Sequence, residues 1–205
     1  MQILFLGQGV DLSAWERRGF APAVLAGPRI GDNHDRHTAE VGVEPPGEPM
    51  PDGPFRRVAE AIAEYCIFPP RLAEHVLRRT PVQLGDTLGL RYRLLPGMGL
   101  FIASRVVDVF NGRMDCVWRS GFTYRTLEGH VMIGEETFAV EKDPTTGKVT
   151  ARLKSWSRPG HWLTRVGYWY ARWCQLHAGK SAVGHLQEIA SKNAASAASG
   201  TATRY

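Results

Sequence analysis

The chain has few of the features that identify a disulfide-rich, zinc-binding or membrane-spanning protein. Its 205 residues include only three cysteines, Cys66, Cys116 and Cys174, and no C-x-x-C pair. The sequence therefore predicts neither a disulfide framework nor a structural zinc site. Each cysteine lies among apolar neighbours, which is typical of a buried free thiol in a reducing compartment. No apolar run approaches the roughly 18 residues that a membrane span requires, so we expect no membrane span and a cytoplasmic location.

Sequence fingerprints of common catalytic classes are also missing. There is no P-loop, no G-x-S-x-G and no dinucleotide-binding G-x-G-x-x-G. His130, Glu135 and Glu136 lie close together without a further ligand at useful spacing, so we predict no metal and no cofactor. The net charge of +5 permits contact with anions. Because Lys and Arg are scattered among acidic residues, however, the sequence predicts no specific nucleic-acid partner.

The composition changes along the chain and suggests three parts. Residues 1–35 form a leader rich in Gly, Asp and Pro, and its first residues favour a short strand because they lack a basic segment and a signal-peptide cleavage site. Residues 36–190 carry the regular apolar patterns of a globular domain. Residues 191–205 are small and polar, which predicts a disordered tail.

The central part begins with a strand at 37–44, followed by two short helices in "DGPFRRVAEAIAEYC" and "PRLAEHVLRR". Five segments of strand character then follow one another, and Asn111-Gly112 predicts a hairpin turn after the second of them. Beyond these strands, apolar residues recur at helical spacing and predict one long helix that covers the sheet. They are Trp162, Val166, Trp169, Trp173, Leu176, Val183 and Leu186.

This order predicts an α+β fold, in which a curved antiparallel β-sheet grips a long C-terminal helix and two short helices follow the first strand. A curved sheet wrapped over such a helix leaves a gap between the two layers. Helix-grip folds of this kind commonly hold an apolar ligand in that gap.

Two motifs resemble a known family. "GFTYRTLEGHVMIGEETF" matches the pattern G-x-x-Y-x-T-L-x-G-H-x-x-x-G-E-E-x-F, and "SRPGHW" matches S-R-P-x-x-W. The first match consists of Gly121, Tyr124, Thr126, Leu127, Gly129, His130, Gly134, Glu135, Glu136 and Phe138, and the second of Ser157, Arg158, Pro159 and Trp162. Both resemble the uncharacterised family called domain of unknown function 1990, over about residues 37–190. The resemblance implies a START-like, birch-pollen-allergen-like (SRPBCC) helix-grip fold, and it implies no established activity.

The alternation of strand residues places Glu136 on the same face as Met132, Phe138 and Val140. An unpaired carboxylate on an apolar face costs several kcal/mol, so it acquires a raised pKa or a partner. Tyr124, across the hairpin, and Arg105 are the two candidate partners. In a functional interpretation Glu136 is a general base or polar anchor, Tyr124 a hydrogen-bond donor and His130 a proton shuttle. In a structural interpretation Glu136 pairs with an Arg, and His130 caps the turn.

The second motif and the aromatic stripe also admit two interpretations. Arg158 either binds an anionic group at the cavity entrance or ties the last strand to the helix through Glu135 or Glu136. The tryptophans of the long helix either form core or line the cavity.

The candidate catalytic residues are thus Tyr124, His130 and Glu136. The candidate ligand-binding residues are Tyr92, Arg105, Trp118, Phe122, Tyr124, Glu136, Phe138, Arg158, Trp162 and Trp169. The leading functional hypothesis is a protein that binds a small hydrophobic or lipid-like molecule. The alternative is an enzyme that uses the same cavity for acid–base chemistry, such as cyclisation, dehydration or hydrolysis of a hydrophobic metabolite. The sequence leaves the oligomeric state open.

Overall fold

The structure is a computed structural model that describes residues 2–5, 9–95 and 98–199. In this part of the chain, eight strands form one antiparallel sheet. They are β1 (Gln2–Phe5), β2 (Asn33–Val43), β3 (Ala73–Val76), β4 (Thr87–Leu95), β5 (Met98–Met114), β6 (Val117–Thr126), β7 (Met132–Lys142) and β8 (Lys148–Pro159).

Five helices accompany the sheet in the same described residues. They are α1 (Leu12–Glu16), α2 (Pro22–Leu25), α3 (Pro54–Ala63), α4 (Trp162–Val166) and α5 (Tyr168–Ser199). The strand order is β2-β8-β7-β6-β5-β4-β3, and β1 pairs with β5 beyond the end of β6. The predicted helix-grip fold is confirmed, because the curved sheet holds α5 against its concave face. Register shifts in β2 and β5 bend these strands and strengthen the curvature.

The first predicted short helix is confirmed as α3. Phe55, Val58 and Ile62 recur at helical spacing and are buried against the concave face. The helix begins after Gly53, which has no side chain to cap it, so a distant carboxylate performs that role. Glu44, which follows β2, accepts the Phe55 N–H at 2.9 Å.

Glu44 also forms a fully buried ion pair. Lys142, the last residue of β7, lies 3.0 Å from the Glu44 carboxylate, and neither side chain is exposed to solvent. The Lys142 ammonium donates to the carbonyl of Glu48 at 2.6 Å, and Glu44 accepts a further bond from the Met50 N–H at 3.0 Å. Because each charge has several partners, the pair fixes the loop between β2 and α3 on the sheet.

The leader packs against the convex face of the sheet. Trp15 of α1 is almost completely buried, and its ring meets that of Phe101 edge-on at 6.0 Å. Leu12 and Leu127 complete this small second core. The predicted strand at the start of the leader is also observed as β1. The sheet is therefore covered on both faces, and the division at residue 35 remains a prediction from composition.

The second predicted short helix is wrong. Residues of "PRLAEHVLRR" form the edge strand β3, which pairs with β4 from Ala73–Tyr92 to Val76–Gly89. Glu74 forms ion pairs with Arg91 and Arg93 across the two strands. These tertiary contacts override the helical pattern of a short segment.

The predicted hairpin turn at Asn111-Gly112 is also misplaced. Strand β5 continues through both residues, and the turn falls at Asp115 and Cys116, whose φ angles are 46° and 68°. The continued pairing with β6 carries the strand past the Asn-Gly pair. Cys116 is exposed, whereas Cys66 and Cys174 are half-buried, so the prediction of three buried thiols is wrong.

The apolar stripe predicted for the C-terminal helix divides into two halves. Val183 and Leu186 are buried in the main core, as predicted. Trp162, Trp169 and Trp173 are more than half exposed, so the expectation that they cover the sheet is wrong. Polar side chains attach the first half of α5 to the sheet instead, which leaves the tryptophans on the opposite side.

The end of α5 overlaps the predicted disordered tail. The structure describes helix as far as Ser199, and residues 200–205 of that prediction lie outside the described part. No helix within the described residues is long and apolar enough to cross a membrane.

We expect Lys142→Met to lower the free energy of unfolding by about 3–5 kcal/mol, since Glu44 then keeps a buried charge without its counter-ion. Urea denaturation measures this change. Lys148→Met is the matched control, because it breaks the exposed Lys148–Glu40 pair and should change stability by about 1 kcal/mol or less. Similar losses in the two variants would contradict the role assigned to the buried pair.

Candidate functional site

A cavity of about 370 Å³ lies between the concave face of the sheet and the first half of α5. Apolar side chains line most of it, including Phe68, Leu90, Ile102 and Met132. Its volume is within the range of small-molecule sites, which is about 300–1,000 Å³. The gap predicted between sheet and helix is therefore present.

A row of polar residues crosses the floor of this cavity. Strand register places Asp35 of β2 opposite Ser155 of β8, Ser155 opposite Glu136 of β7, and Glu136 opposite Tyr124 of β6. All four line the cavity. Directly opposed residues on one face of an antiparallel sheet are close neighbours. The row therefore places two carboxyl groups, a hydroxyl and a phenol side by side on a largely apolar surface.

Glu136 and Tyr124 are hydrogen-bonded. The Tyr124 hydroxyl donates to Glu136 Oε2 at 2.6 Å, so of the two candidate partners it is Tyr124, and not Arg105, that pairs with Glu136. Loss of water around the carboxyl raises the pKa of Glu136 to about 7, and the nearby Asp35 charge adds to this rise. The bond from Tyr124 acts in the opposite direction and partly stabilises the carboxylate. Glu136 therefore exchanges its proton near neutral pH.

Tyr65 extends this pair and was not predicted as a site residue. Its phenol is hydrogen-bonded to that of Tyr124, which itself donates to Glu136. Burial raises the pKa of both phenols well above the usual value. The result is a hydrogen-bonded chain, Tyr65–Tyr124–Glu136, that ends in the cavity.

The backbone explains why Tyr65 escaped the sequence analysis. It follows the end of α3 with φ at 59°, a conformation that glycine usually supplies. The Cys66 N–H donates to the Ala61 carbonyl and the Tyr65 N–H to the Ile62 carbonyl, which together form a Schellman motif. The ring packs edge-on against Phe122 and Phe138. Helical spacing in the sequence suggested core packing and gave no sign of this turn.

Asp35 was also missed, together with its partner Arg172 on α5. The two side chains form a bidentate ion pair in which Arg172 Nη2 lies 2.5 Å from Asp35 Oδ1. Gln175, one turn further along α5, donates to the Ser157 hydroxyl at 2.9 Å. These contacts attach the helix to the sheet along the rim of the cavity. Pairing between an Asp in β2 and an Arg more than 130 residues later carries no local sequence signal.

His130 lies on the cavity wall, and its environment favours the structural interpretation. Its Nδ1 faces the backbone of Met132, 2.7 Å from the carbonyl oxygen and 3.0 Å from the nitrogen. Burial lowers its pKa to about 4, so the ring is neutral near pH 7. A neutral ring held by the turn is poorly placed to act as a proton shuttle.

The two predicted arginines lie outside the cavity. Arg105 donates to the carbonyl of Glu16 at 2.8 Å on the convex side. Arg158 lies 2.6 Å from Asp32 and reaches backbone carbonyls of the leader. Arg158 therefore ties β8 to the leader, and the predicted pairing with Glu135 or Glu136 is wrong. Glu135 instead pairs with Arg125 at 2.7 Å.

The aromatic candidates fall into three groups. Tyr92 lines the cavity together with Tyr124 and Glu136. Phe122 and Phe138 are buried behind the polar row, and the half-buried Trp118 packs against the same core. Trp162 and Trp169 are exposed on the outer side of α4 and α5 and do not line the cavity.

Ionisation of Glu136 should weaken the folded state. Its pKa rises from the ordinary 4.5 to about 7 on folding, so the unfolded chain loses this proton at lower pH than the folded one does. Ionisation of Glu136 therefore has no effect on the free energy of unfolding below pH 4.5, and it lowers that free energy progressively as the pH rises towards 7. We therefore expect Glu136→Gln to unfold like the wild type at pH 4 and to be about 3 kcal/mol more stable at pH 8.

Urea denaturation across this pH range measures the difference. Glu135→Gln is the matched control, because it removes the neighbouring carboxylate from the opposite face of the same strand, where it pairs with Arg125. The control should show no such gain above pH 7. A gain of equal size in both variants would contradict the assignment to Glu136.

Comparison with known proteins gives two relatives of similar sequence. A UPF0548 protein of Dictyostelium discoideum is 28% identical over 128 residues, which is 59% of this chain and 59% of that protein. A UPF0548 protein of Arabidopsis thaliana is 40% identical over 99 residues, or 48% of each chain. The chain thus spans about half to three-fifths of the length of the curated relatives it matches.

Among solved structures, a protein of unknown function from Staphylococcus aureus is 11% identical, with a TM-score of 0.45 and coverage of 82% of this chain and 99% of that one. Residues 23–184 match the family described as "Domain of unknown function (DUF1990)". Because that match includes most of the chain and both sequence motifs, the chain belongs to this family.

Proposed function

We propose that the protein binds a small, largely apolar molecule in the cavity between the sheet and α5. The main support for this proposal is the cavity itself, which has a volume of about 370 Å³ and is lined mainly by apolar side chains. The Glu136 carboxyl, which exchanges its proton near neutral pH, lies on its floor. Burial of apolar ligand surface supplies the affinity, at about 25 cal/mol per Å². A few polar groups on such a wall orient the ligand.

The charges on the cavity wall favour a ligand with a hydrogen-bond donor. Asp35 is neutralised by Arg172, and His130 is uncharged near pH 7. Glu136 is a carboxyl acceptor on the cavity wall, and it becomes anionic above pH 7. A hydroxyl or amine group on an otherwise apolar molecule satisfies this carboxyl. An anionic group placed beside it would be repelled.

The experiment begins with native mass spectrometry of the purified full-length chain, followed by solvent extraction of any bound molecule. Binding of a neutral apolar fluorophore, Nile red, is then measured for wild type and for Ala171→Phe, which places a ring inside the cavity. We expect one probe per wild-type chain and at least about tenfold weaker binding by Ala171→Phe.

Ser191→Phe is the matched control, because it adds the same ring at an exposed position on the same helix. It should bind Nile red as the wild type does. Equal binding by all three proteins would show that the probe lies elsewhere, and no binding by the wild type would contradict the proposal.

An acid–base enzyme in the same cavity is the second candidate, supported by the pKa of about 7 at Glu136. Glu136 would accept a proton from the ligand, and Tyr124 would stabilise the resulting charge distribution through its hydrogen bond. Incubation of the extracted molecule with wild type and Glu136→Gln separates the two candidates. A binding protein keeps most of its affinity in the variant and converts nothing, whereas a base-dependent enzyme loses about two to four orders of magnitude in rate.

A further inference from the structure

Five apolar or aromatic residues form an exposed surface along α4 and the start of α5. This surface, the aromatic face, consists of Trp162, Val166, Trp169, Tyr170 and Trp173. Their exposed fractions lie between 57% and 83%, which is far above what such side chains show in a core. Their spacing of four, seven, eight and eleven residues places them on one side of the two helices. The surface therefore extends over both helices.

The rings on this surface are ordered by contact with one another. Tyr170 and Trp173 stack with ring centroids 6.1 Å apart, and Trp173 stacks on His177 at 5.3 Å with an angle of 8° between the planes. Stacked exposed rings present a flat apolar surface to solvent. Contiguous apolar patches of this kind mark interaction sites.

The charges around the aromatic face are positive. Arg165 and Lys180 are exposed on the same stretch of helix. The sequence contains no acidic residue between Asp143 and Glu188. Arg172, the remaining cation of this stretch, is already paired with Asp35 on the sheet side. The exposed side therefore combines aromatic rings with uncompensated positive charge.

We propose that the aromatic face docks on an anionic lipid bilayer, with α4 and the first half of α5 lying in the plane of the interface. Trp and Tyr rings favour the headgroup region because they are apolar with one polar edge. Nearby Lys and Arg side chains are attracted to anionic headgroups. An interfacial helix combines these features on a single side.

A second copy of the chain fits this face less well. Two copies that met through the same surface would bring Arg165 and Lys180 of both chains together, and like charges across an interface oppose association. The position of the face also favours a bilayer. Tyr170 belongs to the aromatic face and lines the cavity as well, and Thr164 and Gly167 line the cavity from the same segment. Docking would thus place the cavity wall beside the membrane.

Vesicle flotation of the full-length chain tests this proposal. We expect binding to vesicles of phosphatidylcholine with phosphatidylserine, weaker binding to phosphatidylcholine alone, and loss of affinity as salt is added. Trp162→Ser/Trp169→Ser/Trp173→Ser should bind at least about a hundredfold more weakly. The matched control is Leu25→Ser/Ile30→Ser/Leu84→Ser, which removes three exposed apolar side chains elsewhere and should bind as the wild type does.

A pair of charge variants keeps the aromatic rings intact. Arg165→Gln/Lys180→Gln should bind anionic vesicles roughly thirtyfold more weakly. Arg56→Gln/Arg71→Gln, with the same change in net charge at exposed positions outside α4 and α5, should bind normally. The proposal is overturned if the wild type fails to bind anionic vesicles. It is overturned likewise if the tryptophan variant or the charge variant loses no more vesicle affinity than its own matched control. It is also overturned if sedimentation equilibrium shows a dimer that dissociates when the three tryptophans are replaced.

Discussion

The buried ion pair between Lys142 and Glu44 is the interaction on which the arrangement of the site depends. Glu44 accepts from the first turn of α3, so the pair sets where that helix begins on the sheet. The helix in turn ends at Tyr65, whose phenol reaches Tyr124 and, through it, Glu136. A charge pair at one end of the concave face therefore determines the position of a hydrogen-bonded chain at the cavity. Its location next to the core explains why both charges need several partners.

The chemistry of the cavity follows from strand register. A polar row that runs across four strands places Asp35, Ser155, Glu136 and Tyr124 on a face that is otherwise apolar. Members of the row differ because their partners differ. Asp35 has a full counter-charge in Arg172, whereas the Glu136 carboxyl accepts from the neutral phenol of Tyr124. A neutral donor leaves the carboxyl with a high pKa, so the row contains one ion-paired acid and one acid that exchanges its proton near neutral pH.

Much of this arrangement is encoded locally and was predictable. The alternation along β7 identified the face of Glu136, and the hairpin made Tyr124 one of two candidate partners, with Arg105 as the other. Long-range pairs such as Arg158–Asp32 carry no comparable signal, because nothing in a sequence indicates which distant acid meets a given Arg.

The tryptophans of α4 and α5 were misassigned for a different reason. Helical periodicity identifies one side of a helix as apolar without stating what covers it. Polar contacts near the cavity, made by Arg172 and Gln175, turn the opposite side of the helix towards the sheet. The tryptophan side therefore faces outward. An exposed interaction surface and a buried core face give the same apolar pattern in a sequence, so the pattern did not distinguish them.

The packing of α5 at Gly179 divides the helix into two halves that are held to the sheet in different ways. A Cβ atom at Gly179 would lie 2.4 Å from the ring of His37, so helix and strand are in direct contact there. Beyond this point Val183 and Leu186 are buried, whereas before it the helix is held by polar contacts between side chains. Gly179 is therefore the point at which the backbone of the helix comes closest to the strand. Polar side-chain contacts set the width of the cavity before this point, and apolar packing holds the helix beyond it.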